Sequence, residues 1–308
     1  MTYSCPQVRQ FILNVCKQIG CTAAHADITA DILMAAELRN ISSHGVSRLK
    51  DYVNLWKSHR INTNPDIKIV HETLSTGVVD GDAGLGMVVG KTAMQLAISK
   101  ANNAGTAWVS VRNSNHFGIA GYYAMMALEH DMIGIAMTNA NPLVAPTFSV
   151  ERLLGTNPIA VAIPAGKYPP FVADFATTPI ARGKLDIMHK KNQKAPLGYV
   201  QNKKGEASDN PDVLTQGGAI LPLGSDYLHG SHKGYCMGAI VDIFSALLSG
   251  ANFGPFVPPS VAYLPFLSNT SGIGTGHFFG ASPRRDREGC ASTASNGTFK
   301  GEKKKGPP

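Results

Sequence analysis

Apolar positions recur at spacings of three and four through the first sixty residues, after which the period changes. Val8, Phe11, Ile12, Val15, Cys16 and Ile19 mark an amphipathic helix that Gly20 breaks. Thr22 caps a second helix running through Ile28, Ile32, Leu33 and Ala36 toward Arg39. A third is expected from Ser42 to Trp56, with serines at the N-cap and an apolar stripe of Val46, Leu49, Val53 and Trp56. At 100° per residue, His44, Arg48 and Tyr52 then share a second stripe about 120° away from the first. Beyond Asn62-Thr-Asn-Pro65, Ile67, Ile69, Val78 and Val79 read as strands, with a turn at Asp80-Gly-Asp82.

Further along, Gly84 to Thr92 reads as a glycine-mediated turn into a packing helix of Met94, Leu96, Ala97 and Ile98. A buried strand over Thr106–Val111 and a helix over Gly118–Glu129 flank His116. Strands follow at Met132–Asn139, Ile159–Ile163 and Phe171–Asp174, and their ends carry Asn, Thr and Asp, which gathers polar groups at one sheet edge. The stretch from Lys184 to Lys204 reads as a basic loop. Gly230-Ser-His-Lys-Gly234 opens an apolar helix through Met237, Ile240, Val241, Phe244, Leu247 and Leu248, and a last strand falls at His277-Phe-Phe279.

With 308 residues, 44% hydrophobic and 16% charged, the chain is an enzyme-sized globular protein. Its net charge of +7 is concentrated at the end: residues 282–308 hold seven basic against three acidic residues, leaving only +3 elsewhere. No nucleic-acid partner is expected. Five scattered cysteines without CxxC pairing indicate neither a disulfide framework nor a thiolate zinc site, and a reducing compartment fits. No apolar run reaches the ~18 residues a membrane span needs, and no signal segment opens the chain, so a cytoplasmic protein is expected.

Two nucleotide motifs come close and miss. Gly84 leaves five residues and Gly86 three before Gly90-Lys91-Thr92, where a phosphate loop needs four; the same glycines have one residue too many for a dinucleotide fingerprint, and Lys100–Ser110 holds no acid for the ribose. Histidine pairs with metal spacing and a Gly-x-Ser-x-Gly elbow are absent. What stands out is chemistry of another kind. Arg48 offers a planar fork for a carboxylate, His44 exchanges a proton near neutral pH, His116 lies before a helix where a neutral ring or an anion is favoured, and Lys233 sits in a glycine-flanked turn suited to a phosphate.

Taken together, Ser43-His-Gly-x-x-x-Arg48, Ser114-Asn-His-Phe-Gly118, Gly155-Thr-Asn-Pro158, Asp174-Phe-Ala-Thr177 and His232-Lys-Gly-Tyr235 resemble the malate/L-lactate dehydrogenase family of the ureidoglycolate, sulfolactate and piperideine-2-carboxylate oxidoreductase type. The resemblance runs from about residue 4 to 281. It implies an α/β (α+β) fold: a helical N-terminal region interleaved with a largely antiparallel, non-Rossmann NAD(P)-binding sheet domain, assembled as a homodimer. It implies a helical substrate and dimerisation region over 1–120, a cofactor domain over 121–250 and a return segment over 251–281, while the Gly/Ser/Lys-rich, apolar-poor composition of 282–308 reads as an atypical, disordered tail. The implied activity is hydride transfer between NAD or NADP and a small 2-hydroxy or 2-oxo acid, or a cyclic imino acid. The implied roles are proton transfer by His44, with Ser43 beside it, or by His116. Substrate binding falls to Arg48 and Thr156, and cofactor binding to His116, Phe117, Gly118, Ile119, Ala120, Asp174, Phe175, Ala176 and Lys233; Tyr52, on the stripe of His44 and Arg48, is also expected at the substrate, and Asn141, at a polar strand end, at the cofactor. Cys236 replaces the usual glycine after Lys-Gly-Tyr, and relatives continue past the His-Phe-Phe strand where this chain changes composition at Ser282. The other reading is a weakly active dinucleotide-binding homologue with a truncated C-terminus.

Overall fold

Helix α1 (Cys5–Gln18) starts where Ser4 and Gln7 form a capping box, the Ser4 amide donating to Gln7 Oε1 at 2.9 Å. Helix α2 (Ala23–Leu38) is capped as the sequence predicts, by Thr22 Oγ1 accepting from the His25 amide at 3.2 Å. Ile12, Ile32 and Leu33 are fully buried between them, whereas Phe11 faces out at 55% exposure. The computed structural model describes residues 3–259 and 275–283; the expected disordered tail lies almost wholly outside them.

The third helix departs from expectation. Ser42–His44 and Val46–Arg48 are two separate 3-10 turns, and α3 begins only at Leu49 (Leu49–Lys57). Gly45, at ψ −143°, is the break. Glu37 occupies the space a Cβ there would fill, and its carboxylate accepts the Val46 amide at 2.8 Å, capping the second turn from outside. His44 and Arg48 are therefore not one α-helical turn apart. Tyr52 is buried alongside Leu49 and Leu55 instead of lying on a polar stripe.

Strand β1 (Lys68–Glu72) pairs with β2 (Thr76–Gly84), which runs through the expected turn at Asp80–Asp82. The turn signal survives as a bulge inside the strand: Asp82 and Ala83 take φ +49° and +55°, and the register with the next strand shifts between Asp80 and Gly84. The Asp80 carboxylate faces that next strand, accepting from Arg112 Nε at 2.9 Å and Asn113 Nδ2 at 3.0 Å. Helix α4 (Gly86–Ala104) then crosses to β3 (Ala107–Ser114). Its glycines serve packing. A Cβ on Gly86 would strike the Asn115 and His116 carbonyls, and one on Gly90 would come within 2.9 Å of the Tyr123 ring.

Helix α5 is shorter than expected (Ala120–Met126), with a 3-10 turn at Ala127–His130 before β4 (Met132–Thr138). Strands β5 (Ile159–Ala165) and β6 (Tyr168–Phe175) follow, then α6 (Arg182–Lys190), a helix that overlaps the start of the stretch expected to be loop. The short β7 (Val200–Gln201), β8 (Ala207–Ser208) and β9 (Ala219–Ile220) form a three-stranded sheet. Helix α7 (Ser231–Asp242) continues as a π-turn over Ile243–Leu247. Val241 is buried, but Ile240 and Leu247 stay 47% and 55% exposed.

The last described strand, β10 (Thr275–Pro283), inserts between β3 and β4, giving a sheet of order β1-β2-β3-β10-β4-β5-β6. Only the β2–β3 pair is parallel; the other five pairings are antiparallel, as the resemblance implies and as a Rossmann sheet is not. One large apolar cluster joins α1, α2, α4 and α5 to this sheet, and a second, around Leu154, Leu185 and Ile220, lies under the smaller one.

Candidate active site

The β3–α5 loop brings His116 over the two 3-10 turns that carry Ser43, His44 and Arg48. The imidazoles of His44 and His116 stack with centroids 5.5 Å apart and planes 20° from parallel. Ser43 Oγ lies 3.0 Å from His44 Nδ1. On the far side of His116, the Tyr52 hydroxyl is 2.8 Å from Nδ1, and the Gly118 amide donates to the same nitrogen at 3.3 Å. An amide can only donate, so Nδ1 is the acceptor, Tyr52 donates as well, and the ring hydrogen resides on Nε2.

Both rings are held neutral. Burial lowers the His44 pKa from 6.5 to about 4, with the charges of Arg48 and Lys184 acting in the same direction. Burial lowers His116 still more decisively, assisted by His44, Arg48 and His277. Arg48 is fixed by its own neighbourhood: Nε donates to Ser43 O at 2.6 Å and Nη1 to Asp51 Oδ2 at 3.1 Å. Among the described residues that leaves three of its five N–H groups, both of those on Nη2 included, for a ligand. Gly183 in the first turn of α6 lets this helix close on the site, since a Cβ there would lie 3.0 Å from Arg48 Nη2 and 3.1 Å from Ser43 Cβ. Arg48, Asp51, Arg182 and Asp186 line a cleft of about 260 Å³. A larger hollow of about 520 Å³, beside Lys91, Tyr122 and His130, contains none of these groups.

The other residues expected at the substrate or cofactor take up varied positions. Tyr52, expected at the substrate, is 2% exposed and engages His116, so it acts through that ring. The side chains of Phe117, Ile119 and Ala120 are in the core, Phe117 stacking on His277 at 4.6 Å, which leaves only their backbone to meet a cofactor. Gly118 spends its amide on His116. Thr156 anchors Thr177 through its carbonyl, which accepts from both the Thr177 amide and hydroxyl. Asn141 lies in the loop after β4, before Leu143 and Val144 enter the second core. Asp174 and Phe175 end the edge strand β6 with Ala176 next to them, and Asp174 Oδ2 accepts the Gly121 amide at 2.8 Å. Lys233 is exposed in the first turn of α7, following Gly230 at φ +88°.

Sequence reasoning missed four residues. Asp51 is three residues from Arg48, a spacing that could have flagged the pair. Lys184 opened an apparently solvated basic stretch, and Gly183, one residue before it, carried no signal of its own. His277, read only as part of a strand, is fully buried between β3 and β4, its Nε2 2.9 Å from Ser114 Oγ and its Nδ1 2.8 Å from Thr138 Oγ1.

Burial lowers the His277 pKa to about 3. The unfolded ring takes a proton near pH 6.5 while the folded one does not, so the unfolded state binds more protons below that pH and stability is lost on acidification. Between pH 7.5 and 5 this one ring is expected to cost about 2 kcal/mol of stability. Thermal unfolding at the two pH values measures it in parent and His277→Gln, whose dependence should be shallower by about that amount while the linkage of His44 and His116 remains. An equally steep dependence in the variant contradicts it.

A family model described as malate/L-lactate dehydrogenase matches residues 3–283. The malate dehydrogenase of Pyrococcus abyssi is 50% identical over 248 residues, covering 80% of this chain and 68% of that protein. The L-sulfolactate dehydrogenase of Methanocaldococcus jannaschii is 45% identical over 246 residues, covering 80% and 69%. The solved malate dehydrogenase of Pyrococcus horikoshii OT3 superposes with a TM-score of 0.81 at 42% identity, covering 92% of this chain and 75% of that one.

Proposed function

The chain belongs to the malate/L-lactate dehydrogenase family, and on that premise we propose that His44 and Arg48 are the proton-transfer and carboxylate-binding groups of a 2-hydroxy acid dehydrogenase. The relatives are named for malate and sulfolactate, which favours an enzyme acting on a CH–OH group over a weakly active dinucleotide-binding homologue. The observation that carries the reading is the stacking of two imidazoles beside a partly unspent guanidinium. Arg48 orients the substrate by its carboxylate. His44, neutral at pH 7, accepts the hydroxyl proton during oxidation and returns it during reduction. His116, with its hydrogen on Nε2, donates to the same oxygen and is kept in that tautomer by Tyr52 and Gly118.

A bound nicotinamide dinucleotide, NAD or NADP, supplies the hydride acceptor. Residues of this chain suit it. Asp174 Oδ1 takes no hydrogen bond among the described residues and is available to a ribose hydroxyl, and the exposed Lys233 at the start of α7 suits a phosphate. Asn141, Phe175 and Ala176 border the same edge. In this reading residues 1–120 carry the substrate side, 121–250 the cofactor side, and the enzyme is a cytoplasmic homodimer. Lys233→Ala is expected to weaken dinucleotide binding about tenfold or more by fluorescence titration while kcat at saturating cofactor changes little, because a phosphate contact remote from the reacting carbon is largely uniform binding. Unaltered affinity removes Lys233 from the site.

The test of the function itself is turnover of a panel of 2-hydroxy acids with NAD and with NADP, followed by nicotinamide absorbance. Oxidation of at least one 2-hydroxy acid, and not of the matching alcohol that lacks the carboxylate, is expected. Cofactor binding without turnover of any acid overturns the reading.

A further inference from the structure

Helix α1 ends in a doubly bonded turn. The Cys21 amide donates to Cys16 O and the Gly20 amide to Lys17 O, each at 3.0 Å, with Gly20 at φ +90°. These are the 6→1 and 5→2 bonds of a Schellman turn, in which the side chains at the two ends of the longer bond face one another and normally make an apolar contact. Here those positions hold two thiols. Cys16 and Cys21 are 1% and 8% exposed in the same apolar cluster, and both are free.

We propose that Cys16 and Cys21 form a redox-active dithiol that closes to an intramolecular disulfide in the folded protein. A 6→1 turn brings its end residues to about the 4.4–6.8 Å Cα separation a disulfide requires. The two thiols are chemically unequal. Hydrogen bonding from Cys21, reinforced by Thr29, lowers the Cys16 pKa against the effect of burial, while the Cys21 pKa is pushed up by its hydrogen bond to Cys16. Cys16 is therefore the thiolate that reacts first and Cys21 the resolving thiol. The co-reactant is a small two-electron oxidant of the azodicarboxamide or peroxide class. With the azo compound, the Cys16 sulfur adds to one nitrogen, and the Cys21 sulfur then displaces that nitrogen. One S–S bond forms, two S–H bonds are lost, and both protons and both electrons leave on the hydrazine.

The experiment treats the native full-length chain with azodicarboxamide, alkylates the remaining thiols and digests with trypsin. Cleavage after Lys17 separates the two cysteines, so the bridge appears as peptides 10–17 and 18–39 joined. The joined species is expected in native protein, lost on treatment with a dithiol, and absent from Cys16→Ser and Cys21→Ser. Thermal unfolding of the oxidised protein should remain cooperative, with a Tm no lower than that of the reduced form. Alkylation of both residues after oxidation overturns the proposal, as does linkage of either one to Cys5, Cys236, Cys290 or a second chain. A joined species confined to protein that has lost its unfolding transition overturns it too.

Discussion

Arg48→Lys is expected to lower kcat/KM for a 2-hydroxy acid by a factor equivalent to about 2–4 kcal/mol, mostly through a higher KM. The lysine keeps the positive charge but not the plane. In the native side chain Nε holds Ser43 O and Nη1 holds Asp51, which locks the guanidinium so that its remaining N–H groups point as a rigid unit. An ammonium cannot satisfy the Ser43 carbonyl, pair with Asp51 and present two parallel donors at once. Steady-state kinetics on a variant whose far-ultraviolet spectrum and Tm match the parent provides the measurement. An unchanged kcat/KM takes Arg48 out of the site.

His44→Ala is expected to lower kcat by ~10²–10⁴, the range for loss of a general acid/base. Cofactor affinity should stay within about twofold, since the dinucleotide contacts proposed for Asp174 and Lys233 lie on other elements. The ring that remains, His116, is a donor at Nε2 and has Nδ1 occupied by Tyr52 and Gly118, so it cannot readily take over as base. Its replacement should lower the rate as well. Stopped-flow and steady-state turnover of the two single variants separate the roles. Near-native kcat in His44→Ala would reduce His44 to a group that orients the substrate.

The residues of this site were legible in the sequence before their arrangement was. Short motifs singled out His44, Arg48 and His116, which the fold gathers together, and Asp174 and Lys233, which lie on β6 and α7; hydrophobic period placed α1, α2, α4 and most strands of the large sheet. The error over Ser42–Trp56 has a physical source: a four-residue recurrence fits two 3-10 turns followed by a helix as well as it fits one helix. What decides is Glu37 capping the turn at Gly45, and that contact spans nine residues of sequence. Asp80–Asp82 carried a genuine turn signal, which the sheet absorbed as a bulge because Arg112 and Asn113 on β3 hold Asp80 in place. Helix α6 escaped notice because only Leu185 and Gly183 in it are buried, so its period is too faint to read. Tyr52 misled in the opposite way. Its phenol looked like a ligand-facing group, but its body belongs to the core and its hydroxyl to His116.

The most direct test of the site is the pH profile of kcat/KM for hydroxy acid oxidation in the parent, His44→Ala and His116→Ala enzymes. A base must be unprotonated to accept the hydroxyl proton. With the His44 pKa lowered to about 4, the parent rate should hold from neutrality down to about pH 5 and then fall on the acid side. That acid limb should vanish in His44→Ala and persist in His116→Ala at a reduced overall rate. An acid limb that persists in His44→Ala and disappears in His116→Ala would contradict the assignment and make His116 the group that moves the proton.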